Sequence, residues 1–170
     1  MKICKGTNRV VFVFESMGFV VKVPIIHFVR LFRGMMMKHE LGFGFWLSAS
    51  PKCCEGAKWC VNGLVENWSE WRFSKTMGEQ AFILPTYISL FGLLNICPYS
   101  DDFPADKFKG LEKKMGDMSN GSIAWDSHHF TNSKNFCVHQ GCIKMRDYGG
   151  ASTQKVIRWN VKAFNTLRPS

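Results

Sequence analysis

The sequence predicts an α+β fold: a five-stranded, mostly antiparallel sheet carrying one packed helix, followed by a much reduced helical part with its own β-hairpin. Three stretches predict it. The β-prone runs RVVFVF at 9–14 and FVVKV at 19–23 flank a short turn, Glu15-Ser16-Met17-Gly18, and read as a hairpin. The most apolar run, AFILPTYISLFGLLNIC at 81–97, is interrupted by Pro85 and by Phe91-Gly92, which suits two buried strands better than a membrane span. Residues 135–150, NFCVHQGCIKMRDYGG, form two short strands around a Gly-containing turn.

A length of 170 residues with 46% apolar and 21% charged side chains supports one compact domain and argues against wholesale disorder. The 15 Phe and 6 Trp supply enough aromatic volume to fill a core from short strands. A formal charge of +9 favours anionic partners, nucleotides, nucleic acid or lipid headgroups among them, without choosing one. Seven cysteines form no regular framework; Cys53, Cys54 and Cys60 cluster, but without a paired C-x-x-C, so zinc is not indicated. Free thiols and the lack of a signal-peptide pattern after Met1 lead to the expectation of a reducing, cytoplasmic setting.

Along the chain, Gly6-Thr7-Asn8 precedes the first β-prone run, and Pro24 ends the second. Lys22 sits inside an apolar strand, an expensive place for a cation unless its head finds a partner. Taken alone, it reads equally as a snorkelling edge-strand lysine. Residues 25–41 have helical spacing with Arg30, Arg33 and Lys38 between apolar positions, and 42–63 read as an irregular insertion with a short strand at 44–47. Helical spacing returns over 64–77, with Leu64, Trp68 and Trp71 in one stripe and Glu66 and Glu70 on another face. Those two carboxylates are either a solvated face or partners for a buried cation. A polar hinge follows at 98–102, then a charged helix over 106–115 and a loop containing Asp126, His128 and His129. Ser152 or Thr153 can cap a last helix with Val156, Ile157, Val161, Phe164 and Leu167 inward.

The order of these features resembles a minimal protein-kinase-like fold, of the compact kind expected in a phage or bacterium. Asp147-Tyr148-Gly149 is similar to the family's D-F-G, Asn135 to its metal-binding Asn, and Phe-Val-Val-Lys at 19–22 to its V-A-I-K. The resemblance implies an N-lobe-like region at 1–97 and a reduced C-lobe-like region at 98–170. It implies ATP and magnesium as cofactors. Lys22 would contact phosphates and be held by Glu70, with Glu66 second choice. Gly6, Asn8 and the backbone at Cys97 would lie along the nucleotide, and Asn135 and Asp147 would carry the metal. The chain departs from the pattern twice. Gly6 is the only glycine before the first strand, and Phe130 stands where the family has its catalytic Asp, leaving Asp126 or His129 for that role.

The implied activity is that of a small-substrate or self-phosphorylating kinase, a transferase, since the helices that dock large protein substrates are absent. A pseudokinase acting through a protein partner stays open beside it. So does a basic domain binding nucleic acid through Arg30, Arg33, Lys38 and the C-terminal cations, with exposed aromatics stacking on bases.

Overall fold

The computed structural model describes residues 1–28, 60–78 and 82–169. Most of the helix expected at 25–41, most of the insertion at 42–63 with its strand at 44–47, and Cys53 and Cys54 lie outside the described residues. Within them the chain is α+β. Five antiparallel strands are arranged in the order β1-β2-β3-β5-β4: β1 (Lys2–Lys5), β2 (Arg9–Phe14), β3 (Phe19–Pro24), β4 (Ile88–Ser89) and β5 (Asn95–Pro98).

The hairpin β2–β3 follows the expectation. Branched residues fill both strands, and Phe14 pairs with Phe19, their rings stacked at 4.9 Å, across a single 3-10 turn over Glu15–Met17. This register sets Val11 opposite Lys22, so Lys22 and Arg9 share a face of the sheet. Strand β1 was not foreseen. Its sequence, KICK, is short and fully exposed, and its lysines are the charged residues that guard a sheet edge against further pairing. The run at 81–97 departs from expectation too. Residues 82–86 are buried but extended, with one parallel bridge of Ile83 to Met145 as their ladder pairing, and the strands come later and are shorter. Pro85 has no N–H for a ladder, which leaves that segment outside the sheet.

Helix α1 (Asn62–Met77) packs on β3. The apolar stripe, Leu64, Trp68 and Trp71, is only partly buried, and its two indoles pack on each other at 4.8 Å. The buried face carries Gly63, Asn67, Glu70, Phe73 and Ser74 instead. A helix turns polar residues inward only where hydrogen bonds and charges receive them, and the sheet beneath supplies both.

After β5, the segment expected as a plain hinge contains a short strand, β6 (Asp101–Asp102). It pairs with β7 (Phe136–His139), which pairs with β8 (Cys142–Met145), a three-stranded sheet where a lone hairpin was expected. Helices α2 (Phe108–Met118), α3 (Ser127–Phe130) and α4 (Ala151–Phe164) surround it. The main core sits here and joins Phe82, Phe108, Phe130, Phe136, Ile157 and Phe164 with Phe73 from α1. Each such ring removed from water contributes about 1.5–3 kcal/mol. Among the described residues, no helix is long and apolar enough to cross a membrane.

Candidate functional site

Lys22 lies beneath α1. Its Nζ donates to Glu70 Oε2 at 2.8 Å and to the Arg146 carbonyl at 2.7 Å, so the cation expected to need a partner has two. Glu70 is fully buried and takes a second cation on its other oxygen: Arg9 Nη1 at 2.5 Å. The other guanidinium nitrogen of Arg9, Nη2, reaches Asp147 Oδ1, also at 2.5 Å, and Nε lies 3.9 Å from Glu66 Oε2. Two cations from adjacent strands thus join two carboxylates of α1 to the aspartate that follows β8. Glu70, the first choice for holding Lys22, holds it. Glu66 accepts instead from Asn8 Nδ2 at 3.2 Å and Asn62 Nδ2 at 2.7 Å.

The surroundings fix this network. Asn67 Nδ2 donates to the carbonyls of Lys22 (3.3 Å) and Gly92 (3.0 Å), while Asn95 Nδ2 donates to the Asn67 carbonyl at 2.8 Å. These bonds tie α1 to β3 and β5 and set the register of Glu70 over Lys22. At the other end, Tyr148 is buried against Phe73 of α1, and its hydroxyl donates to the Leu84 carbonyl at 2.7 Å. A Cβ on Gly149 would stand 2.9 Å from Glu66 Cβ and 3.0 Å from its carbonyl oxygen, so the chain passes α1 there only as glycine. The Asp-Tyr-Gly stretch is therefore clamped to the helix that carries Glu66 and Glu70.

Burial raises the Asp147 carboxyl, but Arg9, then Lys22 and His129, outweigh it, and the group titrates below the ordinary value. Arg9 loses from burial, yet Glu70 and Asp147 hold its pKa above normal. Glu66 is pushed up, mainly by burial. Three carboxylates against two cations leave one negative charge over. Glu70, wholly buried, carries the desolvation cost of an ionised group most fully, and its two cations offset it.

Asp126 and His129 form a second cluster beside the first. Asp126 is buried; its Oδ1 lies 3.0 Å from His129 Nδ1, and its Oδ2 accepts from the Thr153 hydroxyl. Thr153, expected as a helix cap, is instead inside α4 and serves Asp126. The bond to Asp126 is the leading reason that the His129 pKa is raised, with burial opposing it and Asp147 and Glu66 adding to it. The last two influences place the imidazole on the side of the Arg9 network. Asn135 Nδ2 donates to the His129 carbonyl at 3.0 Å, and the Asn135 carbonyl accepts from the Arg146 N–H at 2.8 Å, so the hairpin does draw Asn135 up to the residue before Asp147. Phe130 is wholly buried among Phe136 and Phe164, turned away from any polar role.

The remaining expected residues sit differently. The Gly6 N–H donates to the Arg9 carbonyl in a tight β1–β2 turn, and Asn8 is spent on Glu66 and on the Ile25 N–H. The Cys97 side chain is buried against Thr86, and its pKa is raised by burial. Beyond it the Tyr99 N–H is taken by the Gly18 carbonyl at 2.9 Å. Arg9 was the residue missed. The partial signal is the β2–β3 hairpin, whose register puts Arg9 on the same face as Lys22; the approach of Asp147 to it is long-range.

Among the described residues no group of three or more His, Cys, Asp or Glu could hold a metal. The two residues expected to carry a metal, Asn135 and Asp147, are one carboxamide and one carboxylate, the first donating to the His129 carbonyl and the second accepting from Arg9. Compared with known proteins, the chain matches no family model, no curated protein and no solved structure.

Proposed function

We propose that this chain binds a nucleoside triphosphate with magnesium through Lys22, Glu70, Asn135 and Asp147, in the manner of a protein-kinase-like domain, and that it is a phosphotransferase acting on itself or on a small substrate. The observation that carries the reading is the Lys22–Glu70 pair, 2.8 Å long, in one network with Asp147. These residues come from a strand, a helix and a hairpin end, in the order that the resemblance requires. Lys22 would pair with phosphate oxygens, and Asp147 and Asn135 would hold the metal, which neutralises charge on the phosphates. Asp147 would give up Arg9 on binding, and the guanidinium released is well suited to a phosphate.

Asp126 and His129 supply the acid–base group that Phe130 does not. His129 would accept the proton of an acceptor hydroxyl as that oxygen bonds to the γ-phosphorus and the bridge to the β-phosphate breaks; Asp126 orients the ring. A pseudokinase-like role, binding nucleotide and acting through a protein partner, is favoured by the same Phe130, buried where a carboxylate is needed.

Thermal unfolding tests the reading. ATP with magnesium is expected to raise the melting temperature by several degrees, and Asp147→Ala is expected to abolish the rise. No shift at millimolar ATP with magnesium, or an equal shift in Asp147→Ala, overturns it. Label transfer from γ-labelled ATP that is lost in His129→Gln, while the thermal shift remains, separates the enzyme from the pseudokinase.

A further inference from the structure

The 3-10 turn Ser122–Asp126 carries Trp125 at 71% exposure, and α4 carries Trp159 at 55%. The two rings meet edge to face at 84° with centroids 5.8 Å apart. Lys155 Nζ stands 4.8 Å from the Trp159 ring and 5.7 Å from the Trp125 ring. Large exposed indoles are uncommon on a surface and are rarely paired. This pair is also held in place, because Asn160 of α4 donates to Ser122 Oγ at 2.9 Å and fixes the turn to the helix.

The charges that α4 brings to it are all of one sign. Helix α4 contains Lys155, Arg158 and Lys162 and no acidic residue, and from Tyr148 to the end of the sequence there are four cations and no Asp or Glu. Lys155, Trp159 and Lys162 follow each other at helical spacing on the exposed face, and Arg158, also exposed, extends towards α1 with its guanidinium 5.2 Å from the Phe73 ring.

We infer that this surface binds single-stranded nucleic acid, with Trp125 and Trp159 stacking on unpaired bases and Lys155, Arg158 and Lys162 pairing with the phosphates. The chemistry is that of a stacking platform beside a basic track. An exposed lysine over an indole is held more weakly than a stacked base. A base therefore exchanges with the Lys155 amine, which then meets a phosphate. A duplex keeps its base faces inside and cannot use rings exposed in this way. A membrane surface is the poorer occupant as well. The apolar residues of α4, Val156, Ile157 and Phe164, are buried, so no broad apolar face is left to enter lipid. This site is independent of the nucleotide cleft.

Titrating the full chain with a 15-nucleotide oligo-dT or oligo-U, and following indole quenching and anisotropy, tests the proposal. Three phosphate contacts give a log–log salt slope of about −2, which is a loss of about 15-fold between 50 and 200 mM salt. Trp125→Ala and Trp159→Ala should each weaken binding by roughly tenfold. Trp159→Phe should keep most of it, and Asp147→Ala should leave it unchanged. A fold lost in either alanine variant, visible by circular dichroism, is bypassed by Lys155→Ala with Lys162→Ala, which should reduce the slope to about −0.7. The proposal is overturned by absence of binding at 50 mM salt or by binding undiminished in both tryptophan variants. Equal affinity for duplex, or preference for anionic phosphatidylserine vesicles, overturns it as well.

Discussion

Arg9 occupies the one position where a single side chain can touch both Glu70 and Asp147, residues 61 and 138 places further along the chain. Removing one partner from a buried charge network leaves another charge uncompensated, a loss of about 3–5 kcal/mol. Glu70→Gln should therefore lower stability by that order and move the urea midpoint accordingly, because Lys22 and Arg9 both lose their acid in a buried place. Arg9→Gln should cost less, since Lys22 still neutralises Glu70. Its specific effect should fall on Asp147, whose carboxyl is lowered chiefly by Arg9 among the neighbouring charges; in Arg9→Gln it should titrate at higher pH, readable by carboxyl NMR. At this scale Lys22 and Glu70 were legible because each broke a local rule: a cation in an apolar strand, and an acid one helical turn from another. Arg9 broke none. It stands at a strand end, where charged residues are ordinary, and only the long-range approach of Asp147 makes it special.

Among the elements, the hairpin β7–β8 shows what a short sequence can specify. Its turn, Gln140-Gly141, has φ of 51° and 69°, the left-handed pair that closes a two-residue hairpin without splaying the strands. Glycine meets that demand freely, whereas glutamine does so against about 1–2 kcal/mol of steric cost. Gln140→Asn should accordingly stabilise the chain by about 0.5 kcal/mol, and Gly141→Val should destabilise it by more than about 1 kcal/mol, both seen as opposite shifts of the thermal midpoint. The hairpin was legible because turn and alternation are local. Helix α1 was legible as a helix, with the face it buries left open. The interior it meets is the Arg9 and Lys22 side of the sheet, which selects Asn67 and Glu70. Nothing within the helix's own spacing announces a charged floor. Strand β4, two residues long, depends wholly on its pairing with β5 and has no signature of its own.

The molecule as a whole should keep its charge networks intact only within a window of pH. Asp147 and Asp126 both titrate below the model-compound value of 3.8, so the stability they contribute is complete above that value and is lost as pH falls through their lower folded values. His129 titrates above 6.5, so its contribution is complete below 6.5 and is lost as pH rises through the higher folded value. The two limbs leave a maximum on the acid side of neutrality, between about pH 4 and 6.5. Asp126 is the group common to both limbs, because its oxygens receive His129 and Thr153. Urea midpoints measured from pH 3 to 9 should therefore fall on either side of that window in the native sequence. In Asp126→Asn the loss above pH 6.5 should flatten, because the imidazolium no longer has a carboxylate to favour it, while the acid limb should keep the part that belongs to Asp147. If the proposed phosphoryl transfer occurs, its rate should show the opposite dependence on His129, rising with pH as the imidazole becomes neutral enough to accept a proton. Stability and activity would then cross in the same pH range, since one proton on one ring strengthens the fold and silences the base.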